Sequence, residues 1–307
     1  MLFGIIYLYT TYNSTNYEYL ITQNFSLKEE QFLWLAFFLS FAFKLPLFPF
    51  HIWLPEAHVE APTSGSILLA GILLKMGVYG IIRFLIPLFP YASIFFTPLV
   101  IMLALLGIIY TSLTAIRQVD LKRIIAYTSV AHMNLVILSI FTFSTMGFLG
   151  GVFQSISHGF VSSALFLLIG IIYERYHNRC LQNYSGLVIR MPLYVTFFMF
   201  FSLANMAFPL TSSFVGEFLI LFSIYCFSIS IAFFASFGMI LGGGYSLWLL
   251  NRISFGNLKV TLNLANDIDS QEFFALIFFT FFVLILGIYP SSLFSFFEGF
   301  FSFYSLY

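Results

Sequence analysis

Five proton-exchanging side chains, Lys44, Lys75, His132, His158 and Glu217, lie inside long apolar stretches of the sequence. Lys75 is the sharpest case. It sits about eleven residues from either end of the run Ser64 to Ile86, hence roughly 16 Å from either end at about 1.5 Å per helical residue. A lysine stem cannot reach that far to water, and a charged lysine at the centre of a bilayer costs at least ~2.5 to 3.5 kcal/mol. The amine must therefore be neutral part of the time, hydrated or paired. Each state makes its protonation responsive to its neighbours, as a proton relay requires. The plainer alternative is one buried ion pair that fixes helix register. Four further groups at similar depth weigh against it. Lys44 immediately precedes Leu45-Pro46, Glu217 follows Phe208-Pro209, and His132 and His158 each stand about midway along an apolar run. Imidazole titrates near neutrality and can accept a proton on one nitrogen while releasing one from the other. Gln154, Ser155, Ser157, Ser162 and Ser163 surround His158 in sequence, and Thr128, Ser129 and Asn134 surround His132, so hydrogen-bonded hydration of both is feasible.

The elements that would hold these groups are transmembrane helices. The chain has 307 residues, 61% hydrophobic and 8% charged, with 12 basic and 12 acidic side chains. A soluble domain carries roughly 25% charged residues, so the solvent here is mostly lipid. The fold class expected is an all-α polytopic membrane protein, because a bilayer core requires every backbone polar group to be satisfied internally. Eight full spans are expected, at about Gln31–Phe48, Ser64–Ile86, Ser93–Ile116, Leu121–Phe141, Met146–Tyr173, Pro192–Tyr225, Ser228–Ile253 and Gln271–Phe297, after a partial one at Leu2–Thr11. Two spans contain proline breaks, at Lys44-Leu45-Pro46-Leu47-Phe48-Pro49 and at Phe208-Pro209-Leu210-Thr211-Ser212-Ser213. Lys44-Leu45-Pro46-Leu47 can be laid on Ala207-Phe208-Pro209-Leu210, a pairing that points to an inverted repeat. The expected organisation is the distal part of a first repeat over 1–91, a second repeat over 92–255, and a C-terminal loop and last helix over 256–307. Arg117, Lys122, Arg123, Arg175, Arg179, Arg190, Arg252 and Lys259 fall on one side, which marks it as cytoplasmic or matrix. The N-terminus then starts from that side and the C-terminus lies opposite. The chain looks as though its beginning is missing, since it starts partway along a helix.

Other signals are weaker. Net charge is zero, which suggests neither nucleic acid nor a polybasic hold on anionic lipid. His51, Glu56, His58 and Glu60 fall within one short segment but match no zinc spacing, and the segment reads as a loop in which Trp53 anchors at the interface and Pro62-Thr63-Ser64 caps the next helix. Gly242-Gly243-Gly244 reads as a helix-packing seam. Cys180 and Cys226 are too few for a disulfide framework and read as small apolar fillers. With no P-loop, dinucleotide-binding glycine motif or paired CxxC, the chain is expected to bind no nucleotide, flavin, iron–sulfur cluster or metal. The 44 phenylalanines exceed any physical need and suggest codon bias in an AT-rich genome, plausibly an organelle's.

Lys44-Leu45-Pro46-Leu47-Phe48-Pro49-Phe50-His51-Ile52-Trp53-Leu54-Pro55-Glu56-Ala57-His58, Glu60-Ala61-Pro62-Thr63-Ser64-Gly65-Ser66 and Leu69-Ala70-Gly71-Ile72-Leu73-Leu74-Lys75 resemble the antiporter-like membrane subunits of respiratory complex I. So do the stretch Asp120 to Met133, His158-Gly159 and Phe214-Val215-Gly216-Glu217-Phe218, and the resemblance covers nearly all the chain from Phe41. It implies a lysine on the first broken helix at Lys44, a central lysine at Lys75, a histidine bridge at His132 and His158, and a terminal carboxylate at Glu217. It also implies protons moved by energy from quinone reduction elsewhere in a mitochondrial inner-membrane complex. NADH, FMN, iron–sulfur clusters and ubiquinone would then belong to other subunits, with membrane-arm neighbours and lipid as partners. The family's glutamate partner of Lys44 has no counterpart here, and Glu18, Glu29 and Glu30 lie in the preceding polar loop. A separate polypeptide supplying the first five helices is the expected explanation, a degenerate module the alternative. The rival readings are a subunit of a multi-subunit cation/proton antiporter and a structural membrane subunit that does not pump.

Overall fold

The structure, a computed structural model, describes residues 1–259 and 266–301. The tail of the C-terminal segment, 302–307, and part of the preceding loop, 260–265, lie outside the described residues. Among those described, every regular element is helical. A short α1 (Leu2–Tyr12) and α2 (Tyr17–Ile21) precede α3 (Leu27–Lys44), which a Ser26–Glu29 capping box starts. Then follow α4 (Trp53–Glu60), α5 (Thr63–Leu88), α6 (Pro90–Arg117), α7 (Leu121–Ile140) and α8 (Thr145–Tyr176). The remainder comprises α9 (Pro192–Asn205), α10 (Ser212–Phe227), α11 (Ile229–Ser254), α12 (Ser270–Ile288) and α13 (Ser291–Phe301). Among the described residues, six helices are long and apolar enough to cross a membrane alone: α5, α6, α7, α8, α11 and α12.

Two more crossings are broken. In the first, α3 stops at Lys44 and α4 continues to Glu60, with the break packed where Leu45 meets Gly77 of α5. Gly77 is fourteen residues past Thr63, about 21 Å along its helix, so the break lies deep in the bundle. This corrects the loop expected over His51 to Glu60: α4 is the second half of the crossing. Trp53 is correspondingly not an interfacial anchor, because its indole N–H donates to the freed carbonyl of Phe43 at 2.9 Å. Thr63 does open α5, but Pro62 is the N-cap and no side chain bonds the first turn. The second broken crossing is α9 and α10, as the prolines indicated. Both first halves end alike, with Leu47 N–H on the Ala42 carbonyl and Phe208 N–H on that of Leu203. The equivalence this sets places Lys44 opposite Asn205, two residues from the overlay the prolines suggested. The last expected span is also corrected, since α12 ends at Ile288 and Pro290 separates it from α13.

α6 packs along α7, α7 along α8, α8 along α10, and α11 across α6. The basic residues gather at one end. There Lys122 Nζ donates to Ala61 O at 2.7 Å, Arg179 to Val59 O at 2.6 Å, and Lys259 to the carbonyl of Gln182. Arg175 makes two bonds to Glu272, at 3.0 and 2.7 Å, while Asp267 accepts the first N–H groups of α9, so α8, α9 and α12 are clamped together. α1 runs back along α3, and the Met1 ammonium donates to Ala36 O at 2.9 Å, roughly halfway down that helix.

The buried apolar side chains form two clusters. One holds Leu121, Ile125 and Ala126 of α7, Val161 to Ile172 of α8, and Phe198 to Ala204 of α9. The other holds Val130 to Ile140 of α7, Phe148 and Leu149 of α8, Leu74 and Val78 of α5, and Ile220 and Ile224 of α10. Ala126 to Val130, Leu149 to Val161 and Ala70 to Leu74 mark the gap between them on three helices. Thr128 and Ser129 of α7 and Gln154, Ser155, Ser157 and His158 of α8 occupy that gap, with Lys75 and His132 just past its edge.

Candidate functional site

Four of the five expected side chains touch in sequence. Lys75 Nζ lies 3.1 Å from His158 Nδ1, the His158 and His132 rings stand 5.6 Å apart between centroids, and His132 Nδ1 is 3.0 Å from Glu217 Oε1. His158 and Glu217 are each 3% exposed, while Lys75 and His132 are half-buried, the lysine beside a pocket also lined by Val78, Tyr79, Val152 and Ser155. Its local construction follows from small residues and helix defects. α5 carries two π-helical turns, Leu69–Leu73 and Ile81–Leu85, and the Lys75 ammonium donates to the carbonyl of Ala70 in the first. Gly71 and Gly159 let α5 and α8 approach, and a Cβ on Gly159 would lie 3.2 Å from Gly71 O and 3.4 Å from Lys75 Cε. Ser157 of α8 bonds Ser212 at 2.7 Å and Ser213 at 3.2 Å, which pins the start of α10 and sets Glu217 facing α7.

The chemistry is directional. His158 meets Lys75 through Nδ1 and His132 meets Glu217 through Nδ1, which leaves both Nε2 atoms buried and without a hydrogen-bond partner. An imidazole can take a proton on one nitrogen and give one from the other, so the arrangement suits transfer Lys75 to His158 to His132 to Glu217 or its reverse. Beyond Glu217 a small cavity of about 30 Å³ is lined by His132, Asn205, Met206, Gly242, Gly243 and Tyr245, among others. Its lining is mostly apolar, but His132, Asn205, Glu217 and Tyr245 give it enough polar groups to hold a water molecule or two. The glycine run is therefore corrected from a packing seam to a cavity wall: a Cβ on Gly243 would have only Met206 Cε, at 3.8 Å, within contact, and one on Gly244 would meet nothing within 4 Å.

Lys44 stands apart from the file. It is exposed on the flank of α3, and no hydrogen bond or ion pair joins it to the other four. The expected loop glutamates are engaged elsewhere, Glu30 accepting Ala92 N–H at 3.0 Å and Glu29 completing the Ser26 capping box. The polar neighbours of His132 bond the backbone. Thr128 and Ser129 return their hydroxyls to the Ile125 carbonyl, and Asn134 donates to Val130 O at 2.8 Å and to the freed Pro46 carbonyl at 3.4 Å. Asn134 thus supports the first break and does not serve His132. Gln154 is the group whose importance the sequence understated: its Nε2 bonds Glu217 Oε1 at 3.1 Å. Its place one helical turn before His158 is the available signal. His58 stacks on Phe166 at 4.3 Å, and among the described residues no three His, Cys, Asp or Glu side chains converge as a metal site would require. Cys180 is half-buried and Cys226 exposed, so neither is a core filler.

Two broken crossings flanking a buried lysine–histidine–glutamate file define an antiporter-like membrane protein. Residues 1–242 match the family described as NADH:quinone oxidoreductase/Mrp antiporter, TM, and the chain belongs to that family. Chain 4 of NADH-ubiquinone oxidoreductase from Chondrus crispus is 52% identical over 293 residues, 95% of this chain and 60% of that one. The protein of the same name from Arabidopsis thaliana is 52% identical over 291 residues, 94% of this chain and 59% of its own length. This chain thus spans about 60% of the curated relatives it matches. Among solved structures, a chain of respiratory complex I from Thermus thermophilus with bound NADH superposes with TM-score 0.90 at 28% identity, covering 99% of this chain and 64% of that one. A chain of the Mrp complex from Dietzia shares the fold, with TM-score 0.84 at 19% identity over 95% of this chain and 62% of its own.

Proposed function

We propose that the chain is a proton-translocating membrane-arm subunit of NADH:ubiquinone oxidoreductase, acting in the mitochondrial inner membrane. The observation that carries this reading is the succession of Lys75, His158, His132 and Glu217, joined by two polar contacts and one pair of neighbouring rings, along the boundary between two apolar clusters. A proton held as the Lys75 ammonium passes to His158 Nδ1. His158 releases one from Nε2 to His132 Nε2, and His132 releases one from Nδ1 to Glu217. The chain holds no redox group of its own in this account. NADH, FMN, iron–sulfur clusters and ubiquinone act in other subunits, and quinone reduction there drives the relay through electrostatic changes passed laterally. The basic end of the bundle faces the matrix and the C-terminus faces the intermembrane space, while Met1, bonded to Ala36 O halfway down α3, lies within the bundle and not at the matrix end where the charge pattern put the N-terminus.

Lys44 extends the relay through a partner. An amine exposed on a deep helix flank needs a counter-group, and a separate polypeptide contributing further helices against α1 and α3 would supply it. The matching ends of the two breaks support a repeat organisation with residues 1–91 in the first unit and 92–255 in the second. The test is proton translocation per NADH oxidised, measured in vesicles containing the assembled complex. Replacing Glu217 by Gln is expected to abolish the share carried by this module, and normal stoichiometry would assign the chain a bracing role. A redox-free cation/proton antiporter is the second reading, favoured by the shared fold with the Mrp chain. Recovery of the chain in a particle that oxidises NADH and reduces quinone separates the two.

A further inference from the structure

Gln154 occupies the junction where the relay passes from imidazole to carboxylate. Its Nε2 donates to Glu217 Oε1 at 3.1 Å and lies 3.5 Å from His132 Nδ1, which is itself 3.0 Å from the same Oε1. Three polar atoms from α7, α8 and α10 therefore form one triangle, and the amide is 1% exposed. The fit is built from the opposite side by Gly216, where a Cβ would come within 2.6 Å of Gln154 Oε1 and 2.9 Å of its Cα. Any other residue at 216 would push the amide out of the triangle. The Ser157 bonds to Ser212 and Ser213 hold α8 and α10 in this register about one turn away.

We propose that Gln154 is a positioning residue that makes the final transfer directional, a deepening that rests on the relay reading above. With His132 charged and Glu217 ionised, the Nδ1–H of His132 and an N–H of Gln154 both donate to Oε1. When the proton moves, the Nδ1–H bond breaks and an Oε1–H bond forms, with no other change in covalent bonding. The neutral carboxyl then no longer needs the amide, and His132 Nδ1 is a bare acceptor within a small side-chain rotation of the same N–H. Satisfied by Gln154, the imidazole stops competing for the proton, and the carboxyl is free to pass it to the cavity beside Tyr245 and Asn205. The titratable groups around the junction are His132 on α7, His158 on α8, Glu217 on α10, Tyr245 on α11 and, one contact further, Lys75 on α5.

The test is the pH profile of NADH-driven proton translocation in vesicles carrying the assembled complex. Gln154→Met keeps the volume and removes the donor. A carboxylate deprived of a charge-assisted donor binds its proton about tenfold more tightly or more, so release from Glu217 shifts upward by about one pH unit. Translocation per electron should fall several-fold at neutral pH and recover at higher pH. Gln154→Glu keeps the shape and replaces donor by acceptor, so it must move the profile further in the same direction, and it carries the test should the Met variant not assemble. An unmoved profile in whichever variant assembles overturns the proposal, and a merely structural role would lower assembly or rate without moving the profile. Loss of translocation in Glu217→Gln beside an unmoved Gln154 profile leaves the relay reading standing. Normal translocation in Glu217→Gln and Lys75→Met removes both.

Discussion

Removal of the Lys75 amine separates proton carriage from structural support, because the two roles respond in opposite directions. The perturbation is Lys75→Met, close in volume and without a titratable group. In the relay account it deletes the atom 3.1 Å from His158 Nδ1 and leaves the histidine pair with no proton donor on the α5 side. A positioned proton donor or acceptor contributes about 10² to 10⁴ in rate, so transfer into the file should slow by at least about a hundredfold, a barrier increase of about 2.7 kcal/mol. Assembly should not suffer, since removing a deep lysine relieves a burial cost of at least ~2.5 to 3.5 kcal/mol. Lys75→Arg is the companion variant: it keeps the charge, but a guanidinium with a pKa above about 12 cannot release its proton on the pumping timescale. The assay is the proton-to-electron ratio in sealed vesicles, with complex abundance measured on native gels. Both variants should yield assembled complex with the module's translocation lost. Normal translocation by the Met variant would refute the reasoning, and normal translocation by the Arg variant alone would reduce Lys75 to an electrostatic element.

Further outcomes follow from the packing. Gly159→Ala places a Cβ 3.2 Å from Gly71 O and 3.4 Å from Lys75 Cε, so α5 and α8 must part by a few tenths of an ångström. The Lys75–His158 contact should lengthen and translocation fall several-fold, at about 1 kcal/mol in stability, read from proton ratios and thermal unfolding. Arg175→Met breaks the mostly buried pair with Glu272 that ties α8 to α12 and should cost about 3 kcal/mol, seen as loss of assembled complex on heating. Gly243→Leu fills the cavity beside Glu217, where the glycine now has only Met206 near it, and should slow translocation while the complex assembles normally.

The residues that titrate at depth were legible because lipid makes them expensive: Lys75, His132, His158 and Glu217 stand out against apolar runs, and the fold joins them. The prolines of the two broken crossings were equally plain, since the backbone they disrupt has no water to turn to. What escaped is set by contacts between helices. Gln154 stands one helical turn from His158 and Asn134 only two residues from His132, a spacing that favours Gln154, but that Gln154 serves Glu217 and Asn134 the Pro46 carbonyl is set by packing between helices. Gly242 to Gly244 suggested a seam because glycine permits close approach, but whether a neighbour fills the space depends on α9. The segment Trp53 to Glu60 read as a loop because it is short and carries charge, yet freed carbonyls at Phe43 and Pro46 find donors on Trp53 and Asn134, so it continues the crossing. Lys44 looked equivalent to Lys75, and only the packing separates the exposed amine from the one in the file.

The relay account stands on a proton reaching Glu217. Infrared difference spectra recorded between resting complex and complex turning over with NADH and quinone read this through the C=O stretch of a protonated carboxylic acid. The account predicts a carboxylic acid band that changes during turnover, is absent in Glu217→Gln, and is lost or frozen in Lys75→Met. Identical difference spectra in all three proteins would contradict it.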